Sequence, residues 1–220
     1  MSHRLLRRSV WDFIKATYLL RSPGRLVTVF ASARLGCGDE EYEMARRLGR
    51  ALAVANVAVM TGGGSGLMEA INRGAREGGG RSLGCRMAGP PFELEENRFM
   101  DRCSTVRHFF VRKVVMCRSA TAFIVLPGGL GTLDELFDVL ALIKTGRMPA
   151  KPVVLLGTTF WQPLLRMLEA MMAAGTIPAG HMPGIEVTDD VGEAVELVTR
   201  PFEPTRAEPL APFVAIDRAS

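Results

Sequence analysis

Leu126-Pro127-Gly128-Gly129-Leu130-Gly131-Thr132-Leu133-Asp134-Glu135 closes one apolar run and opens an amphipathic one. Upstream of it, residues 120–126 are apolar apart from Thr121, carry Ile124 and Val125, and stop at a Pro-Gly breaker, a pattern that predicts a short buried strand. Downstream, Leu133, Leu136, Phe137, Leu140 and Ile143 recur at helical spacing. The glycines therefore stand at a strand-to-helix turn, where unpaired backbone N–H groups and the positive end of a helix dipole favour an anion such as phosphate. Thr132 can add a hydroxyl donor, and Glu135 brings a carboxylate about one turn further in. Pro-Gly-Gly is also common punctuation, and an acid early in a helix is favoured on structural grounds alone. What the stretch means depends on what accompanies it.

A second element of the same kind lies upstream. Residues 57–60 read as a strand that runs into Thr61-Gly62-Gly63-Gly64-Ser65-Gly66, followed by a helix carrying Leu67, Met68, Ala70, Ile71 and Ala75. Each turn can present backbone amides at the carboxyl edge of a parallel sheet. Neither is a P-loop, because no Gly-Lys-Ser/Thr follows, and neither has GxGxxG spacing. A mononucleotide fits this pattern better than a dinucleotide.

The remaining chain supplies the frame. Residues 26–31 predict a strand, 32–38 a small-residue turn, and 39–54 a helix opened by acids. Residues 81–86 predict a further strand. The segment 87–101, with Gly89-Pro90-Pro91 and Glu93, Glu95 and Glu96, reads as a long functional loop. Residues 103–109 read as a short strand and 111–118 as a helix with Arg112 and Lys113 in its first turn, a pair that is solvated in most helices but here stands just ahead of the glycine-turn strand. Strands at 152–157 and 185–187 and helices at 160–174 and from Asp189 or Asp190 to 199 complete the alternation. The expectation is a single doubly wound, Rossmann-like α/β domain over 25–200 with a mainly parallel sheet and ligands at the carboxyl ends of its strands. Residues 1–24 read as a helical extension whose stripe of Leu6, Val10, Phe13, Ile14 and Tyr18 needs the body or a second subunit to cover it, and 201–220 as an irregular tail.

Composition narrows the function classes. A chain of 220 residues fits one domain, and at this size roughly 70% of the unfolded surface can be buried. Its four cysteines include no CxxC pair, which predicts reduced thiols in a cytoplasm, and its three histidines are scattered, so no metal site is expected. Asp12 and Lys15 interrupt the first apolar stretch, which argues against a signal peptide or membrane span. The formal charge of +4 is spread among acids and aromatics are only 7%, so nucleic acid is not the expected partner. Of 27 basic residues only four are lysines, and arginine suits bidentate contacts with phosphate.

Taken together, Gly62-Gly63-Gly64-Ser65-Gly66-Leu67-Met68, Arg112-Lys113 and Pro127-Gly128-Gly129-Leu130-Gly131-Thr132-Leu133-Asp134-Glu135 resemble the LOG family, the cytokinin-activating phosphoribohydrolases, whose members are often labelled lysine decarboxylases. The resemblance spans about residues 26–175 with motif order preserved. It implies a Rossmann-like homodimer without a cofactor that hydrolyses the N-glycosidic bond of a nucleoside 5′-monophosphate, releasing base and ribose 5-phosphate. Carried over by motif, Arg112 and Glu135 are catalytic, while Gly63, Gly64, Met68, Lys113, Gly128, Gly129, Gly131 and Thr132 bind substrate. Cytokinin-type members usually have Gly where this chain has Glu69, and Met-His with a polar residue where it has Phe109-Phe110-Val111. The chain thus looks closer to a broader bacterial branch, for which AMP or another purine monophosphate is the expected substrate.

Two other readings stand beside this one. A decarboxylase needs a lysine to hold pyridoxal phosphate, and only Lys15, Lys113, Lys144 and Lys151 exist to supply it, none in a recognisable cofactor setting. A non-catalytic mononucleotide-binding module would use the same glycine turns, with Glu135 serving only its helix.

Overall fold

The computed structural model describes residues 3–89, 97–177 and 184–201. Its elements alternate as expected: α1 (His3–Leu19), β1 (Leu26–Phe30), α2 (Glu40–Val54), β2 (Ala58–Thr61), α3 (Leu67–Glu77), β3 (Ser82–Met87), β4 (Arg102–Val106), α4 (Phe109–Ser119), β5 (Ala122–Val125), α5 (Leu130–Lys144), β6 (Val153–Leu156), α6 (Thr158–Ala173), β7 (Glu186–Thr188) and α7 (Val191–Thr199). The seven strands form one sheet in the order β4-β3-β2-β1-β5-β6-β7, and every pairing is parallel.

Strand alternation explains the layers. In β1, Leu26 and Phe30 face one core while Val27 and Val29 face the other; in β5, Phe123 and Val125 oppose Ala122 and Ile124 in the same way. Helices α1, α4, α5 and α6 cover the first face and α2, α3 and α7 the second. Both faces are buried, which is why the central strands read as continuous apolar runs. The chain builds outward from β1 to the edge strand β4, and α4 then returns it to β5 on the other flank of β1. The order reverses there, so the crevice between β1 and β5 is the topological switch point.

One expectation needs correction. The strand expected over 103–109 ends at Val106, and the helix begins at Phe109, because His108 takes an extended N-cap conformation and its carbonyl accepts from the Val111 and Arg112 amides. The body covers only part of the apolar stripe on α1: Phe13 packs against the core, but Val10, Ile14 and Tyr18 are 49%, 53% and 79% exposed. The helix packs through Asp12, Phe13, Ala16 and Leu20. Asp12 is buried because its carboxylate accepts from the Arg107 amide at 3.2 Å and from Arg107 Nη1 at 3.1 Å, which fastens α1 beside β4. Residues 90–96 of the long loop and the tail from 202 lie outside the described residues. Among the described residues no helix is long and apolar enough to cross a membrane.

Candidate active site

Parallel topology sends β2 and β5, and the turns that follow them, to the same edge, with β1 between them. The loop after β1 laces the two turns together. Ser32 N donates to Pro127 O at 3.2 Å, Ser32 O accepts from Leu67 N at 3.0 Å, and Ser65 Oγ donates to Ala33 O at 3.2 Å. The two glycine turns thus share one edge and one bonded loop.

Helix α4 starts at that edge. Val111 is buried in the core and holds the first turn down, leaving the next residue, Arg112, to reach across the strand ends. Its Nε donates to Cys85 O on β3 at 2.9 Å, and its Nη1 donates to Glu135 Oε1 on α5 at 2.6 Å. Its Nη2 lies so close to Gly62 that a Cβ there would collide with the guanidinium. One side chain therefore spans β3, the first turn and α5, and the ion pair it makes is largely enclosed, with side-chain exposures of 14% for Arg112 and 12% for Glu135. Burial pushes the Glu135 carboxyl above the ordinary glutamate range; Arg112 pulls against that, and the neighbouring Asp134 charge adds to it. Two opposed effects thus act on this acid, and burial prevails.

Lys113 is placed differently from its neighbour. Its Nζ donates to Asp134 Oδ1 at 2.8 Å and lies 4.0 Å from Asp138. Burial disfavours its charge, but Asp134, Asp138 and Glu135 outweigh that and hold its pKa above the usual lysine value. Lys113 thus reaches the site as a prop for the first turns of α5.

The turns themselves are unlike. In the first, a Cβ on Gly63 would stand 2.7 Å from Arg86 Cγ and one on Gly64 would stand 2.6 Å from Met68 Cε, while Gly63 and Gly66 have φ of +71° and +67°. Side chains close this turn, and its glycines answer both a left-handed backbone and close approach. Met68 packs beneath it. In the second, Thr132 is buried with its side chain folded against Gly128, but nothing lies within 4 Å of where a Cβ on Gly129 or Gly131 would be. That open space lies at the start of a 15-residue helix, where backbone N–H groups and the helix dipole favour an anion.

A buried polar network supports the first turn. Thr61 Oγ1 accepts from Gly63 N at 3.0 Å and donates to Asn72 Oδ1 at 2.6 Å. Asn72 Nδ2 donates to Ser82 Oγ at 2.7 Å and Leu83 O at 3.2 Å. Asn97 Nδ2 bonds Asn72 Oδ1 at 3.0 Å and Gly64 O at 3.1 Å. Sequence reasoning missed Asn72, Asn97 and Arg86. The available signal was Asn72 itself, a polar residue on the helix face otherwise formed by Met68, Ile71 and Ala75. Among the described residues no group of three or more His, Cys, Asp or Glu side chains is placed to hold a metal.

A family described as "Possible lysine decarboxylase", the LOG family, matches residues 68–198. The chain belongs to this family. A LOG-family relative from Rhodococcoides fascians, a cytokinin riboside 5′-monophosphate phosphoribohydrolase, is 30% identical over 82% of this chain and 92% of its own. A probable enzyme of the same name from Oryza sativa subsp. japonica, LOG4, is 31% identical over 81% of this chain and 78% of its own. Among solved structures, TM1055 superposes with a TM-score of 0.61 at 26% identity, covering 80% of this chain and 98% of that one. The molybdenum cofactor carrier protein of Chlamydomonas reinhardtii does so with a TM-score of 0.57 at 26% identity, covering 78% and 93%.

A lysine decarboxylase activity fits the residues poorly. Pyridoxal phosphate needs a free lysine at its seat. Lys15 and Lys144 are exposed on α1 and at the far end of α5; Lys151 is bound to the Cys117 and Ala120 carbonyls at 3.1 and 2.6 Å ahead of β6, at the opposite edge of the sheet. Lys113 is held by Asp134. None stands over a glycine turn.

Proposed function

We propose that this LOG-family protein hydrolyses the N-glycosidic bond of a purine nucleoside 5′-monophosphate. The observation that carries the reading is the enclosed Arg112–Glu135 pair, set at the carboxyl edge between a closed glycine turn and an open one. The 5′-phosphate takes the open seat at Gly128–Thr132, and the ribose then lies beside Glu135. In the reaction the C1′–N bond breaks with its electron pair leaving on the base, and water forms the new C1′–O bond. One proton from water ends on the base and ribose 5-phosphate remains. Cationic character builds on the sugar as the bond stretches, so a carboxylate at Glu135 stabilises the transition state or takes the water proton. Arg112 offsets the charge that develops on the departing base. Gly63, Gly64 and Met68 form the floor on the other side, and Lys113 steadies α5.

The names of the relatives support this chemistry, and a panel of nucleoside 5′-monophosphates assayed for free base tests it. Release of base that is lost in Glu135→Gln bears it out, and no release from any nucleotide sinks it. A second reading, a carrier or regulatory module that binds without turnover, draws on the likeness to the molybdenum cofactor carrier structure. Tight nucleotide binding in the same panel without free base would select it. The working unit in either case is a homodimer that covers the exposed apolar stripe of α1.

A further inference from the structure

We propose that Arg86 reads the base of the substrate and selects 6-oxopurine nucleotides, those of guanine or hypoxanthine, over 6-aminopurine ones; this rests on the nucleotide reading above and narrows its substrate class.

Strand order sets the direction of the ligand. Across the carboxyl edge the sequence of features is the open turn after β5, then the β1 loop, then the closed turn after β2, then the end of β3. The Arg112–Glu135 pair lies across the middle, bonded at one end to α5 and at the other to β3. From β5 to β3 is three strand spacings, about 14 Å at about 4.8 Å each. With phosphate on the open turn and the glycosidic carbon beside Glu135, the base points toward β2 and β3. The reverse placement fails on space: the first turn is filled by Met68, Arg86 and the Arg112 guanidinium, whereas Gly129 and Gly131 face nothing.

Arg86 ends that path. Ser82, Gly84 and Arg86 alternate with Leu83, Cys85 and Met87, which belong to the core on the α4 side, so Arg86 stands on the α3 side beside the first turn. Its stem is seated by contact, with Cγ 2.7 Å from where a Gly63 Cβ would be, and Gly84 gives the strand room to approach Gly63. It is partly buried, and among the described residues no carboxylate pairs with it. Arg112, which also contacts the first turn, already places Nε on Cys85 O and Nη1 on Glu135. A guanidinium is a fork of donors with no acceptor. It matches the O6 and N7 acceptors of a 6-oxopurine, and it meets a donor where adenine carries its amino group. Glutamine has the opposite preference, since its amide pairs with adenine N6 and N7.

The test is base release from GMP, IMP and AMP by the full chain and by Arg86→Ala and Arg86→Gln, each checked for an unchanged melting temperature. Dissociation constants for the same nucleotides are measured alongside. The wild type should favour GMP and IMP over AMP by about tenfold in kcat/KM. Arg86→Ala should bring that ratio to within about twofold, and Arg86→Gln should invert it toward AMP, which loss of a merely structural side chain would not do. A wild-type ratio near one, or one that survives Arg86→Ala, overturns the proposal. If wild type releases no base from any nucleotide, hydrolysis fails, and the same ratio taken in dissociation constants then decides Arg86 by itself; no binding of any of the three sinks both.

Discussion

Glu135 combines a carboxylate with enclosure and a single strong partner, and each property has its own consequence. Glu135→Gln keeps the shape and the hydrogen-bond acceptor but removes the charge that stabilises a cationic sugar. Turnover should fall by roughly a hundredfold or more while nucleotide affinity stays within a few fold. The pH profile carries a second check. Burial raises the Glu135 pKa, so the ionised form is lost, and kcat with it, as pH falls through a value above that of an exposed glutamate; Glu135→Gln should flatten that acid limb. Arg112→Ala should act on both constants, raising KM and lowering kcat, because the side chain holds β3, the first turn and Glu135 at once. An Arg112→Ala protein with wild-type kinetics would reduce the pair to a fold contact. Glu135 stood out in the sequence by its offset from the second glycine turn, whereas Arg112 was singled out through the family resemblance. Asn97 and Arg86 did not stand out, since Asn97 lies within the long loop and meets the turn by bonding Gly64 O and Asn72, while Arg86 meets it through the pairing of β2 with β3.

At the scale of elements, glycine marks two kinds of close approach, and their substitutions should separate. Gly74 on α3 faces the backbone of Arg46 and Gly49 on α2 faces the backbone of Ile71, so these helices meet without room for side chains. Gly74→Ala overpacks that crossing and should cost about 1–3 kcal/mol, a drop of several degrees in Tm for a chain of this size, with the kinetics of the folded fraction unchanged. Gly62→Ala meets the Arg112 guanidinium instead, a side chain that can move. It should lower kcat/KM by tenfold or more through displacement of Arg112 from Glu135, at little cost in Tm; calorimetry and base release on both variants test the contrast. The strands, helices and both turns could be read from periodicity and breakers because those are local properties. The end of β4 and the start of α4 could not, since Cys103 to Phe109 has no breaker and the boundary is set by His108, whose carbonyl caps the helix. The order of strands was not local either: that β1 separates the two turns follows from the return of α4 to the far flank of β1.

At the scale of the whole molecule, one apolar surface is left uncovered among the described residues. The sequence marked Val10, Ile14 and Tyr18 as part of a stripe for the body or a second subunit to cover, and α1 turns another face inward because Asp12 finds Arg107 there and Ala16 fits closely against the core. The stripe is left outward together with Trp11 at 65% exposure. Helix α4, which packs beside α1, adds Phe110 at 56% and Val114 at 38%. Aromatic groups gathered on adjoining helices mark an interaction surface, and α4 is also the helix that carries Arg112, so a second copy seated here would buttress the site helix of the first. Light scattering at micromolar concentration should give twice the monomer mass. A double substitution of Trp11→Glu and Tyr18→Glu removes two anchors that the fold does not bury, so the protein should keep its Tm as a monomer while dimer dissociation rises by roughly a hundredfold or more, the scale of a central aromatic contact of about 2–3 kcal/mol. Base release assayed above and below the new dissociation constant then shows whether α4 needs its partner. Dimers that persist in the doubly charged variant would place the subunit contact on another face and leave this stripe to a different partner.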